Sequence, residues 1–409
     1  MSPVHGERSA TIDVVAAWGA TAVLLASAAR FLAIGELGWS VLTLVLVAVA
    51  LVPSVRAGDP STTYPPELLA LVAVPVLVRL GGWFPAATSF LAVAGLSLLV
   101  AIALAAYTSL SLTPRFTAAF TVVTTMALAG AWAVALWIGD AFLGLATLGS
   151  GTELMWDLAT ATAMGLFGGV VFEVYERRTT RPESLDASER SGATHEMSSA
   201  PSDDVAGWYR LSVRVMQAGM GLLVVYAILE RRWTLVVNSA VPLAATFLPA
   251  VLRRERGYAM DPLVVLWVTL ASALHAAGAV WFYGTVGWYD SLTHSISAAL
   301  VATIGYATAR AAERHIRGVT FTDRFRVVFV LLFVLGAGVL WELLEFASGG
   351  LAALVGGEAL LAQHGADDIA KDLLFDGLAG LVVAVATSGR FDGLVRALTG
   401  PVEAVLDRD

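Results

Sequence analysis

The chain has no cysteine among its 409 residues. That absence excludes disulfides, thiolate nucleophiles and the cysteine-ligated classes of zinc and iron–sulfur site. Charge is scarce too. Only 14% of residues are Asp, Glu, Lys or Arg, where a soluble domain carries about 25%. The 25 basic residues face 33 acidic ones, for a net charge of −8, and no basic stripe is left to grip a phosphate backbone. A water-soluble enzyme, a disordered scaffold and a nucleic-acid reader are excluded on these grounds. Lysine is almost missing, with Lys371 the single one. Also absent are a P-loop, a dinucleotide fingerprint, a GxSxG elbow and an HExxH pair. No basic stretch leads into a short apolar run and cleavage site at the N-terminus, so the first apolar segment is expected to act as an uncleaved signal.

Apolar sequence is abundant, at 57% of residues with a mean hydropathy of +0.76. A bilayer core about 30 Å thick needs roughly 20 apolar residues as a helix. Twelve stretches qualify, near 12–34, 38–55, 66–80, 86–108, 116–138 and 154–175, then 211–229, 233–252, 262–283, 289–311, 326–348 and 368–388. The third is short and contains Pro75. The expected fold is all-α, a polytopic membrane helical bundle of about 12 transmembrane helices. Residues 179–207 are rich in Ser, Asp, Glu and Pro with little to bury, and read as a flexible cytoplasmic linker. The linker divides an N-terminal six-helix region, 1–178, from a C-terminal one, 208–390, and 391–409 forms a cytoplasmic tail. With both termini in the cytoplasm, 20 of the 24 arginines fall inside, and only Arg30, Arg79, Arg231 and Arg232 lie outside. This asymmetry sets the expected orientation in the cell membrane.

The two halves read as one unit written twice, as parallel six-helix repeats. Gly82-Trp83-Phe84 aligns with Gly287-Trp288-Tyr289, Trp132 with Trp341, Asp157 with Asp372 and Gly165 with Gly380. The differences carry more information. Asp290 falls on Pro85, His294 on Ser89, Glu342 on Ala133, Glu345 on Leu136 and Asp376 on Ala161. The first copy keeps the apolar frame without most of the ionisable groups, so the working site is expected in the second.

Helical spacing sorts those groups. Asp290 and His294 are i,i+4 and share a face, as do Glu342 and Glu345 at i,i+3. Asp368, Asp372 and Asp376 form a row with a four-residue step. The expected topology brings all three groups to the outer end of their helices. Carboxylates in a bilayer are costly, and such a cluster needs a bound cation, protonation or water. Mixed His and carboxylate ligands suit zinc, manganese or iron, while an all-carboxylate subset suits magnesium or calcium. His294, Glu342, Glu345 and Asp372 are the expected ligands of a divalent metal, with Asp290 orienting His294 or accepting its proton and Asp376 behind them. Asp290, His294, Glu342, Glu345, Asp372 and Asp376 together are the expected catalytic set. Asp367 and Asp368 read as first-turn acids favoured by the helix dipole. Trp281, Tyr283, Trp288 and Trp341 read as an interfacial aromatic belt. His275 fits a hydrogen-bonded core position or a functional one. Asn238 is read as an isolated interhelical hydrogen-bonding group.

The run Trp288-Tyr289-Asp290-x-x-x-His294, then Trp341-Glu342-x-x-Glu345, then Asp368-x-x-x-Asp372-x-x-x-Asp376-x-x-x-Gly380, resembles the YjdF-like family of inner-membrane proteins of unknown function. His275-x-x-Gly278 ahead of a tyrosine fits the same pattern. More remotely the order is similar to VanZ-like membrane proteins, associated with glycopeptide-antibiotic resistance, although Asp376 stands where they carry Asn and the glycine spacing differs by one. The resemblance covers about residues 260–388 and implies no specific activity.

Three function classes remain. One is a metal-dependent enzyme with an outward-facing site acting on a lipid or lipid-linked small molecule, so that membrane lipids are the expected partners and nucleic acid is not. The second is a proton- or cation-coupled transporter. The third is a non-catalytic binding or assembly protein.

Overall fold

The computed structural model describes residues 3–107, 114–144, 147–179, 203–256, 260, 262–315, 321–355 and 365–387. Among these residues every regular element is helical. The helices are α1 (Pro3–Ala33), α2 (Leu37–Ala50), α3 (Val52–Ala57), α4 (Pro66–Leu80), α5 (Pro85–Tyr107), α6 (Pro114–Leu143) and α7 (Gly151–Thr179). There follow α8 (Asp203–Leu229), α9 (Trp233–Ala245), α10 (Leu248–Arg256), α11 (Pro262–Ala277), a π-helical turn (Gly278–Phe282), α12 (Tyr283–Thr285), α13 (Tyr289–His315), α14 (Asp323–Val355) and α15 (Ala366–Thr387).

Each of the twelve apolar stretches contains a helix. Proline accounts for two interruptions, because its ring removes an N–H and crowds the carbonyl four residues back. The second stretch is divided at Leu51, just ahead of Pro53, into α2 and α3. The eighth is divided at residues 246–247, just ahead of Pro249, into α9 and α10. Pro75, by contrast, is carried inside α4 without ending it. Among the described residues, nine helical segments are long and apolar enough to cross a membrane by length and composition. The 15 residues of α4 fall short of that length, and α13 and α15 carry the ionisable side chains. The protein is thus a polytopic membrane helical bundle with nine to twelve candidate spans. Large apolar side chains such as Leu211, Leu354 and Val382 are exposed, as lipid-facing positions require. Most of the 179–207 linker and all of the 391–409 tail lie outside the described residues.

The chain forms two compact units, one of Met1–Ala129 with Trp156–Thr180, the other of Gly130–Met155 with Arg181–Asp409. In the first, α1 packs on α2 and α4, and α4 on α5. Leu24, Phe31, Leu46, Leu69, Val76 and Leu99 fill the core. Two of its buried hydroxyls reach other helices, Ser40 to the Ala28 carbonyl at 3.0 Å and Tyr64 to that of Leu99 at 2.9 Å, and several others settle within their own. Thr21 donates to the Ala17 carbonyl at 3.0 Å, Thr43 to Trp39 at 2.7 Å and Thr121 to Thr117 at 2.9 Å.

In the second unit α13 packs along α15 and α14, and α11 lies against α8, α9 and α13. Small residues let the helices approach, as is common in membrane bundles. A Cβ on Gly380 would come within 3.2 Å of the Val334 side chain, and one on Gly338 within 2.6 Å of Asp376 Oδ2. Trp137, from the segment 130–155 of this unit, donates its indole N–H to Asp367. The same carboxylate takes Lys371, whose ammonium sits 5.9 Å from the centre of the Trp137 ring.

Candidate metal centre

The site is built where α13 begins. Val286 is extended, which ends the preceding helical segment, and α13 starts afresh at Tyr289 with Asp290 in its first turn. An acid is favoured there by the unpaired N–H groups of a helix start. One turn on, His294 projects from the same face. Its imidazole Nε2 lies 3.8 Å from Asp290 Oδ1 and 3.8 Å from Asp372 Oδ2, and Nδ1 lies 3.4 Å from Asp376 Oδ1. The four-residue step of Asp372 and Asp376 along α15 is what presents two carboxylates to one ring. Both are buried, at 4% and 6% exposure, and the His294 side chain is 13% exposed.

Asp290, His294 and Asp372 each offer one donor atom, and the three atoms lie within 4.8 Å of one another. Ligands about 2.1 Å from a tetrahedral ion sit roughly 3.4 Å apart, so only a small inward movement is needed. The donor chemistry, one imidazole and two carboxylates, suits a first-row divalent ion. Asp376 stands on the opposite side of the ring. A carboxylate accepting from Nδ1–H fixes the tautomer that leaves the Nε2 lone pair facing Asp290 and Asp372.

The other expected site residues are placed differently. Glu342 is the most buried acid of the group, at 1% exposure, but it lies outside the convergent donor set found among the described residues. Glu345 accepts a hydrogen bond from Trp341 Nε1, one turn earlier on its own helix, at 3.0 Å. Asp290, expected to orient His294, is itself one of the converging donors, and Asp376 occupies the orienting position at Nδ1. His364, a further histidine whose residue type would suit the site, lies outside the described residues.

Three neighbours of the site were not legible as such. Asn238 Oδ1 lies 3.3 Å from His275 Nε2, so the residue read as isolated has a partner on α11. Tyr283, read as part of an aromatic belt, turns its hydroxyl inward to His275 Nδ1 at 3.2 Å and to Thr293 Oγ1 at 3.4 Å. Trp281 and Trp288 do face outward, at 63% and 66% exposure. The sequence signal that marks Tyr283 is Gly278 five residues earlier, the spacing of a π turn, but glycine is too common in membrane helices to single it out. Tyr289 completes this wall, donating to the Leu274 carbonyl at 2.9 Å and stacking on Phe282.

No curated protein and no solved structure matches the chain. One family does match, and the matched span contains α9, α11 and every residue of the cluster. Residues 212–393 match the family described as predicted membrane protein (DUF2238), whose function is unknown.

Proposed function

We propose that Asp290, His294 and Asp372 hold a divalent cation, and that the protein is a metal-dependent membrane enzyme acting on a lipid or lipid-linked small molecule. The observation that carries this reading is the convergence of three donor atoms from α13 and α15 within 4.8 Å, in a membrane helical bundle. One imidazole faces three carboxylates there. Burying that excess of negative charge is costly unless a cation or protons balance it. The position of Asp376 favours a cation. It occupies Nδ1 and leaves the other ring nitrogen between two further carboxylates, the arrangement of a histidine ligand backed by an orienting acid. Such an ion would polarise a phosphoryl or acyl oxygen or lower the pKa of a bound water. Asp376 holds the imidazole, Asp290 and Asp372 supply charge, and Glu342 and Glu345 on α14 are the carboxylates available to take a proton. The arginine distribution puts this end of the helices at the outer face, with both termini cytoplasmic, and a lipid headgroup could enter there. The first six helices, 1–178, are read as a degenerate parallel copy that serves as a structural partner to 208–390.

Metal analysis of the purified protein after loading with Mn²⁺ or Zn²⁺ tests the reading. The wild type is expected to retain metal and Asp372→Asn and His294→Ala to retain background only. Equal metal in all three, or none in the wild type, overturns the site. For the substrate class, turnover of a lipid phosphodiester or acyl ester in proteoliposomes should be abolished by a chelator and by Asp372→Asn. Turnover that survives both treatments counts against metal catalysis.

A further inference from the structure

A second polar assembly runs along the wall of the site, and its hydrogen bonds have a readable direction. Asn238 Nδ2 donates to the Thr234 carbonyl at 3.0 Å, which turns its Oδ1 towards His275 Nε2, 3.3 Å away. An amide oxygen can only accept, so the proton of a neutral His275 ring sits on Nε2. Nδ1 is then an acceptor, and the Tyr283 hydroxyl, 3.2 Å from it, donates. With the Tyr283 proton donated to His275, only the Thr293 hydroxyl can close the 3.4 Å contact to the Tyr283 oxygen, and its one proton is shared between that oxygen and the Asp290 carbonyl at 2.8 Å. The chain of contacts thus leads from α9 through α11 to the turn of α13 that bears Asp290 and His294.

The π turn is what delivers Tyr283 to this place. The N–H of Tyr283 reaches the carbonyl of Gly278, five residues back where an α-helix reaches four. The added residue rotates Tyr283 back over Gly278, and a Cβ there would come within 2.5 Å of the tyrosine ring. Such turns are rare and are often found at functional sites.

We infer that Tyr283 is a positioning residue of the cluster: the directed chain Asn238–His275–Tyr283, aimed by the π turn at Gly278, braces Thr293 and thereby fixes where Asp290 and His294 point. The consequence for metal affinity rests on the metal reading above; the consequence for the His294 ring does not. Loss of a partner that orients a ligand typically weakens metal affinity by about 10–100-fold.

The test uses the full chain in nanodiscs with ¹⁵N-labelled histidine, and three variants. Tyr283→Phe removes one oxygen. Gly278→Ala keeps that oxygen and displaces the ring. Trp281→Phe changes an exposed neighbour on the same turn. In metal-free protein, Tyr283→Phe and Gly278→Ala are expected to shift the His294 imidazole ¹⁵N resonances at an unchanged melting temperature for Tyr283→Phe, and Trp281→Phe is expected to leave them in place. With Mn²⁺, Tyr283→Phe is expected to bind about 10–100-fold more weakly than wild type. Unaltered His294 resonances and unaltered Mn²⁺ affinity in Tyr283→Phe overturn the inference while leaving the metal site intact. If the wild type takes up no Mn²⁺, the metal reading falls, and the His294 resonances alone decide whether Tyr283 positions the ring. Should Gly278→Ala fail to fold, Tyr283→Phe carries the decision.

Discussion

The two units solve the problem of polar groups in an apolar bundle in different ways. In the first, most buried hydroxyls are satisfied by the carbonyl one turn back, as with Thr21, Thr43, Thr121 and Ser97, while Ser40 and Tyr64 donate to carbonyls of other helices and one ion pair, Arg79 with Glu36, links separate segments. The same economy holds outside its helices: Asp59, between α3 and α4, takes both the N–H and the hydroxyl of Ser61 two residues on. In the second unit the ionisable groups reach across helices. His294 on α13 faces Asp372 and Asp376 on α15, and His275 on α11 faces Asn238 on α9. A hydroxyl has one proton to place and its own helix offers a carbonyl for it. A carboxylate or an imidazole cannot be satisfied that way, so it ties the packing of one helix to the presence of another. The first kind of group tolerates movement of its helix; the second kind fixes it.

That contrast can be broken by moving a charge into the locally satisfied unit. Ala161 on α7 is fully buried, at 0% exposure, and aligns in the proposed repeat with Asp376. Ala161→Asp is expected to have the largest effect, because an uncompensated buried carboxylate costs several kcal/mol. Yield and thermal unfolding in detergent measure it. Wild-type stability in that variant would mean the first unit has hidden capacity for charge.

A smaller effect sharpens the comparison through glycine. A methyl on Gly95 would come within 2.9 Å of a Val72 methyl, and one on Gly338 within 2.6 Å of Asp376 Oδ2. Both alanine variants are overpacked, at about 1–3 kcal/mol each. Only Gly338→Ala should also reduce retained Mn²⁺, since it displaces the acid behind His294. Equal metal retention by the two variants would detach Asp376 from the site.

The smallest effect is expected at Asp59. Hydrogen bonds from the Ser61 side chain and backbone hold its carboxyl below the usual carboxylate range. A lowered folded-state pKa contributes stability that is present above the unfolded value and lost as pH falls through the folded one. Asp59→Asn should therefore lose slightly in melting temperature at neutral pH and nothing at strongly acid pH. A difference that grows on acidification would reverse the sign and refute the assignment. Metal retention should not change.

Much of the architecture is legible in the residues because the bilayer makes one demand, a long apolar run, and twelve runs are visible. Helix breaks were less so. Pro53 and Pro249 sit at the second position of the helix that follows an interruption, while Pro75 and Pro242 are absorbed inside α4 and α9, and residue type alone does not tell the two cases apart. Within the site, pairs one turn apart on a single helix were readable from spacing: Asp290 with His294, Asp372 with Asp376. What spacing cannot supply is the rotation of each helix about its own axis. That rotation brings Asp290 among the converging donors and gives Asp376 the Nδ1 side of His294. It also joins Asn238 to His275, residues 37 apart in sequence on different helices. The π turn escapes for a related reason. It adds a single residue to a helix whose composition is otherwise ordinary.

The pairing of α13 with α15 has a bearing on how the chain is made. These two helices carry the imidazole and the acids that meet it, yet α14 separates them in the order of synthesis. When α13 leaves the ribosome, Asp290 is present but the two aspartates of α15 that His294 will face, Asp372 and Asp376, do not yet exist. In a half-built protein α13 therefore carries a polar face whose α15 partners are still to come. A chain cut between α14 and α15 is accordingly expected to leave α13 as its least satisfied helix, which protease sensitivity of that truncated chain would measure.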